Sequence, residues 1–343
     1  MLAHSAKSPR TVHALLICVM LIWGVNISVV KQLTGSMSEL QICMMRMMVA
    51  SITLTLFVLG RDRRLPRLSR RQWGILAAAA ALMIYSNQLL FVKGTHLSSA
   101  GTTSLVMAMT PALAAGFGIL FFKERPTLTN VLGLAFGFGG VAVVVATQAP
   151  GTSLAPGWGE LIVLSGLVVF IMGGLLLQGR ARGIDALTIG WAIHCLGAVM
   201  LATHIGLTAP EEFAGLADVQ PAHWGMLVFS GSLGSGVTNV AWFFALGAIG
   251  VARASVFFYW LPIFGTLVAA LWLRESVGPW HLLGLALVVL GTFLACRPRA
   301  GVAAKAGPNE GETGNKAEAG EGAEPAEVDE VSQGAVKTPV IPQ

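Results

Sequence analysis

The chain has 343 residues, of which 55% are hydrophobic and only 11% charged, against roughly 25% charged in an average soluble domain. A water-facing surface cannot be covered on that composition, which excludes a soluble enzyme. The net charge of +5 averages a basic body, with 19 Lys+Arg and 9 Asp+Glu in residues 1–299, and an acidic tail with 3 and 8; the body's cations sit in loops between apolar segments, so no continuous basic face exists for a nucleic acid.

A helix rising about 1.5 Å per residue needs about 20 apolar residues to cross about 30 Å of hydrocarbon. Behind Lys7 and Arg10 an apolar run begins at His13 with no small-residue cleavage site, so a retained first span is expected at 13–33. Nine more follow in chain order: 40–59, 73–92, 100–122, 129–148, 160–178, 187–206, 224–247, 252–273 and 280–296. Turn or helix-stop signals separate many of them, at Gly60, Pro126, residues 150–157, Gly183, Pro210 and Pro279. The cysteines, Cys18, Cys43, Cys195 and Cys296, lie in apolar stretches without paired or metal-ligand spacing and read as small buried hydrophobes. From Ala300 the chain is rich in Gly, Ala, Pro and Glu without aromatics or apolar period, so 300–343 is expected to be a disordered acidic tail.

Basic loops mark the cytoplasmic side of a membrane protein. Arg61, Arg63, Arg64, Arg67, Arg70 and Arg71 follow span 2, and Lys123, Arg125, Arg180, Arg182, Arg253, Arg297 and Arg299 fall on the same side; the opposite side holds only Lys31, Lys93 and Arg274. Ten crossings with both termini in the cytoplasm are expected, in a cytoplasmic (inner) membrane.

Shifted by 151 residues, the sequence matches itself. Pro111 meets Pro262, Lys123-Glu124 meets Arg274-Glu275, Leu132-Gly133-Leu134-Ala135 meets Leu283-Gly284-Leu285-Ala286, and Gly140 meets Gly291. Trp73-Gly74 meets Trp224-Gly225 at the same offset, while an inserted residue aligns Asn87 with Asn239. Two five-span halves, 13–148 and 159–296, follow; five is odd, so the second half is inverted. Inverted repeats supply inward-open and outward-open states of similar energy, the arrangement of many secondary transporters.

The run Trp23-Gly24-Val25-Asn26 with Lys31, Arg46 early in span 2, and the segment from Ser99-Ala100 through Thr110-Pro111 to Lys123-Glu124-Arg125 resemble an EamA-type repeat of the drug/metabolite transporter superfamily. A second copy runs from Gly159-Glu160-Leu161 to Gly291, though its opening span has no tryptophan matching Trp23. The resemblance implies an all-α polytopic membrane protein that exports an amino acid, another small metabolite or a drug, with no cofactor.

Polar side chains are costly in lipid, so mid-span polar residues are candidates for lining a cavity. Asn87 and Gln88 in span 3 and Asn239 in span 8 either bracket a ligand or hold the bundle by interhelical hydrogen bonds. Trp23 and Asn26 in span 1, Phe91 and Trp242 at matching positions, and Tyr259 and Trp260 before Pro262 complete the substrate-binding candidates, since indole and phenol rings offer an apolar face and one donor. Pro111 and Pro262 should kink spans 4 and 9 and free the carbonyls of Met107 and Phe258, either for a cavity or for packing. His194, deep in span 7, is the candidate for proton coupling, against a plain role as a neutral hydrogen-bonding residue. Arg46 is expected to snorkel to the outer interface, against a direct role in holding substrate. Glu124 and Glu275 are expected to cap the helices that follow them. Gly133 and its counterpart Gly284 are structural, Gly133 with Gly137 forming a small-residue face for packing within the chain or across a homodimer.

No HExxH, GxSxG, CxxC pair or Walker motif is present, so no catalytic or metal residue is assigned. The reading is a secondary transporter of a small molecule; its competitors are a membrane enzyme on lipid-linked substrates and a sensor or scaffold acting through the acidic tail.

Overall fold

A computed structural model of the chain describes residues 9–122, 128–147, 157–181, 183–214, 216, 219–249, 254 and 256–295, and every regular element among them is helical. The helices are α1 (Pro9–Leu33), α2 (Glu39–Asp62), α3 (Arg70–Leu97), α4 in two pieces (Ala100–Met107 and Thr110–Phe122), α5 (Leu128–Thr147), α6 (Trp158–Arg180), α7 (Ala186–Thr208), α8 (Pro221–Ile249), α9 (Trp260–Trp272, entered through a 3-10 turn at Val256–Tyr259) and α10 (Pro279–Ala295). Each of the ten expected segments holds helix. Among the described residues, α1, α2, α3, α6, α7 and α8 are long and apolar enough to cross a bilayer, and the apolar helices at Phe257–Trp272 and Pro279–Gly291 are shorter. The acidic tail, Lys123-Glu124-Arg125 and Pro126 lie outside the described residues.

Local chemistry sets the helix starts. Ser38 and Gln41 form a reciprocal capping box on α2, as Ser69 and Gln72 do on α3, and the Asp185 carboxylate accepts from the Leu187 and Thr188 amides to open α7. Gly60 does not stop α2. The helix runs through it to Asp62 and ends where Arg63 takes the left-handed conformation at φ 53°. Pro279 opens α10, as suits a residue with no amide to donate.

The distribution of polarity is reversed from that of a soluble protein. Asn26, Arg46, Gln88, His194, Ser230, Ser235 and Asn239 are buried, while Leu56, Leu207, Leu267 and Leu271 are exposed. Such a surface is stable against lipid and not against water; this is a multi-pass membrane protein.

The packing pairs elements far apart in the chain. α1 lies against α8 and α9, α2 against α7 and α8, α3 against α6 and α7, α4 against α6 and α9, and α5 against α10. The last pair crosses glycine on glycine. A Cβ on Gly140 would stand 2.7 Å from the Gly284 carbonyl oxygen, and one on Gly291 would stand 2.6 Å from that of Gly133. The glycine face expected on span 5 is therefore used within the chain, and both Gly133 and Gly284 serve it by presenting bare backbone.

Candidate functional site

Two helices of the bundle are widened by π-helical turns, Ala81–Ser86 in α3 and Ser232–Val237 in α8. They lie 151 residues apart, the offset of the sequence repeat, and in that register Asn239 corresponds to Gln88 and not to Asn87. Residues five apart on a regular α-helix point about 140° from each other. The π turn, bonded over five residues, instead brings Ser230 and Ser235 to one guanidinium. Arg46 of α2 donates from Nε to Ser230 Oγ at 2.6 Å, from Nη2 to Ser235 Oγ at 3.0 Å and from Nη1 to Gln88 Oε1 at 2.9 Å. Ser230 Oγ in turn donates to Asn26 Oδ1 at 2.5 Å. One buried cation thus ties α1, α2, α3 and α8 together.

These groups form one wall of a cavity. Asn26, Arg46, Asn87, Gln88, Ser235 and Asn239 supply polar atoms, and Trp23, Phe91, Phe170 and Phe258, with Ile27, Met107, Val163 and Leu167, supply apolar surface. The Asn26 side chain has room because Gly234 faces it: a Cβ there would fall 2.5 Å from Asn26 Oδ1. Trp23 is fixed by donating Nε1–H to Thr238 Oγ1 at 2.9 Å, and Thr238 in turn donates to the Leu233 carbonyl at 2.8 Å, inside the π turn. Asn87 donates to the Gly166 carbonyl of α6 at 2.9 Å. Asn239 donates to the Ser235 carbonyl at 2.7 Å.

Of the residues singled out from the sequence, Trp23, Asn26, Asn87, Gln88, Phe91 and Asn239 come together in this cavity wall. Trp242 stands behind it, its ring 5.8 Å from Trp23 and 5.1 Å from Phe258. Tyr259 and Trp260 do not line the cavity; Trp260 is 43% exposed and stacks on Phe264, because the 3-10 turn gives the inward position to Phe258. Arg46 does not snorkel: it is 1% exposed, held by Ser230, Ser235 and Gln88 within the bundle. Sequence reasoning missed those acceptors, Ser230 and Ser235, and the Phe258 ring. The available signal was Arg46 itself, since a cation within a span requires polar partners on neighbouring helices.

The prolines act as breaks. Before Pro111 the two pieces of α4 are separated at Ala108 and Met109, and the freed Met107 carbonyl accepts from Thr110 Oγ1 at 2.5 Å. In α9 the 3-10 turn gives way to α-helix at Trp260, two residues before Pro262. Both breaks bring a residue to the cavity, Met107 and Phe258. His194 does not line it. The ring donates Nδ1–H to the Gly190 carbonyl at 2.7 Å and turns Nε2 to the Asn239 amide at 3.5 Å, the arrangement of a neutral imidazole. Glu275 caps a helix, but not the one that follows it: its carboxylate accepts from the Ala100 and Gly101 amides at 2.8 and 3.0 Å, at the start of α4.

Comparison with known proteins gives three results. The profile of the EamA-like transporter family matches residues 10–146 and again residues 157–297. A Streptantibioticus cattleyicolor protein named "Probable terminal-alkyne amino-acid exporter" is 28% identical over 255 residues, 74% of this chain and 82% of its own; the uncharacterized transporter YvbV of Bacillus subtilis is 27% identical over 307 residues, 88% of this chain and 97% of its own; and the uncharacterized inner membrane transporter YedA of Escherichia coli is 24% identical over 280 residues, 80% and 87%. A solved crystal structure shares the fold at a TM-score of 0.60 and 18% identity, over 84% of this chain and 97% of that one.

Proposed function

The chain belongs to the EamA-like transporter family, and on that premise we propose that it exports a small organic metabolite, an amino acid or related compound, or a drug, by alternating access. The observation that carries this reading is the cavity, whose walls come from both halves of the chain: α1 to α4 of the first and α6, α8 and α9 of the second. A site so divided opens to either membrane face when the halves rock against each other.

The two halves of this proposal are 13–148 and 159–296, inverted with respect to each other. Three features support the division. The family profile matches each half separately. The π turns recur at the repeat offset. The packing list is also its own image under exchange of halves: α1 on α9 corresponds to α6 on α4, α2 on α8 to α7 on α3, and α1 on α8 to α6 on α3, while α2 with α7, α4 with α9 and α5 with α10 are self-matched. The ten apolar segments support ten crossings of a cytoplasmic membrane, and the arginine excess after span 2 supports cytoplasmic termini. Export of an amino acid is the direction and class suggested by the Streptantibioticus relative's name.

Purified full-length protein in liposomes, loaded in turn with amino acids, organic acids, amines and aromatic drugs, tests the reading. Efflux of at least one class above empty liposomes is expected. Failure to move any of them sinks it.

A further inference from the structure

Among the described residues Arg46 is a cation without a countercharge. It is 1% exposed, and its three bonded partners, Ser230, Ser235 and Gln88, are all neutral oxygens. The described carboxylates are engaged elsewhere or lie in loops. Asp62 and Asp185 pair with Arg61, Glu39 with His96, Glu160 with Ser98, Glu212 with Ser38 and Glu275 with the α4 amides; Glu211 is exposed at the turn after α7. A buried charge is tolerated when an opposite charge meets it. A guanidinium has five N–H donors, and the three bonds above leave one on each terminal nitrogen, on a side chain that lines the cavity. Two donors on one planar fork match the two oxygens of a carboxylate.

We infer that the cavity takes a substrate bearing a carboxylate on an apolar or aromatic body, with Arg46 receiving the carboxylate. The inference rests on the cavity's being the transport site. Trp23, Phe91 and Phe258 form the surface for the body. One guanidinium balances one negative charge, which favours a monocarboxylate over a phosphate dianion. With no anionic side chain among the described lining residues, a permanently cationic solute would face Arg46 across a site of low dielectric and is rejected.

Three probes with one body and charges of −1, 0 and +1 test this: 3-phenylpropionate, 3-phenylpropionamide and 3-phenylpropylamine, titrated at pH 7 against the purified full-length protein with thermal stabilisation as the readout. The wild type is expected to bind the acid at least about tenfold more tightly than the amide, in keeping with a charge-assisted pair, and the amine not at all. In R46Q the acid and amide should bind alike, and R46K should fall between. Equal binding of acid and amide by the wild type, binding of the amine, or retained preference for the acid in R46Q overturns the inference; if R46Q does not fold, the wild-type series decides alone. The two readings fail separately. A protein that exports amines from liposomes and not acids loses the ligand class and keeps transport; one that binds the acid selectively yet moves no solute loses transport and keeps the ligand class.

Discussion

A Cβ placed on Gly291 of α10 would stand 2.6 Å from the carbonyl oxygen of Gly133 on α5. The obstacle is backbone and cannot rotate away, so any larger side chain forces the two helices apart. Gly291→Leu is expected to cost about 1–3 kcal/mol, the range for overpacking a close contact, and to lower the thermal unfolding midpoint in detergent. Gly139→Ala, on the same α5 helix but with nothing within 4 Å of the added carbon, is the matched control and should leave the midpoint at or slightly above wild type. Equal midpoints for the two variants would remove the close crossing.

Asp185 joins α7 to α2. Its carboxylate accepts from Arg61 Nη1 at 2.8 Å and from the Thr188 hydroxyl at 2.6 Å, besides capping its own helix. Burial pushes this carboxyl upward, yet the bonds from Arg61 and Thr188 more than offset it and hold the acid at about 2. A depressed acid contributes stability above its unfolded value, near 3.9, and loses it as pH falls through the folded one. The wild type should therefore unfold at a higher temperature than D185N above about pH 4, with the gap closing toward pH 2. Both side chains are nearly half exposed, at 43% and 50%, so the gap corresponds to at most about 1 kcal/mol and shrinks with added salt. A gap that widens on acidification contradicts the assignment.

The helices were legible because lipid imposes a length and an apolar composition that a window of about 20 residues detects. Arg46 shows where legibility stopped. Its place near the start of α2 reads as an interfacial position, and only the π turn of α8, which leaves no mark in composition, brings Ser230 and Ser235 to it. The pairing of amides was displaced as well, since in the register of the two turns Gln88 corresponds to Asn239. Near Pro262 the sequence announced a break but not its rotation, and the 3-10 turn exchanged Phe258 for Tyr259 and Trp260 at the cavity.

His194 faces a donor. Asn239 Nδ2 lies 3.5 Å from its Nε2, and its Nδ1–H is engaged by the Gly190 carbonyl; a second proton on the ring would oppose the Asn239 amide. The cavity wall passes through Asn239 and not His194, so the ring stands one residue behind the cavity. His194→Asn keeps an amide donor for Gly190, and its liposome efflux is expected to follow the wild type's pH profile between pH 6 and pH 8. A lost or displaced pH response in that variant would restore His194 as a coupling residue.

Glu275 fastens the end of α9 to the start of α4. Arg274, at φ 55°, turns the chain so that the carboxylate folds back onto the Ala100 and Gly101 amides at 2.8 and 3.0 Å, while Ser99 Oγ accepts from Thr102. Four amides at a helix start lack internal partners, and here a residue 175 positions from Ala100 and 174 from Gly101 satisfies two of them. Removing it exposes two donors and a positive helix end without a compensating charge. Glu275→Ala is expected to destabilise the protein by about 1 kcal/mol, as loss of a helix cap does, and to speed hydrogen exchange at Ala100 and Gly101. Glu275→Gln, which keeps one acceptor oxygen, should fall between. Exchange should stay unchanged at Leu187 and Thr188, which are capped independently by Asp185; faster exchange there as well would mean that the substitution loosened the whole bundle and that Glu275 is not a local fastening.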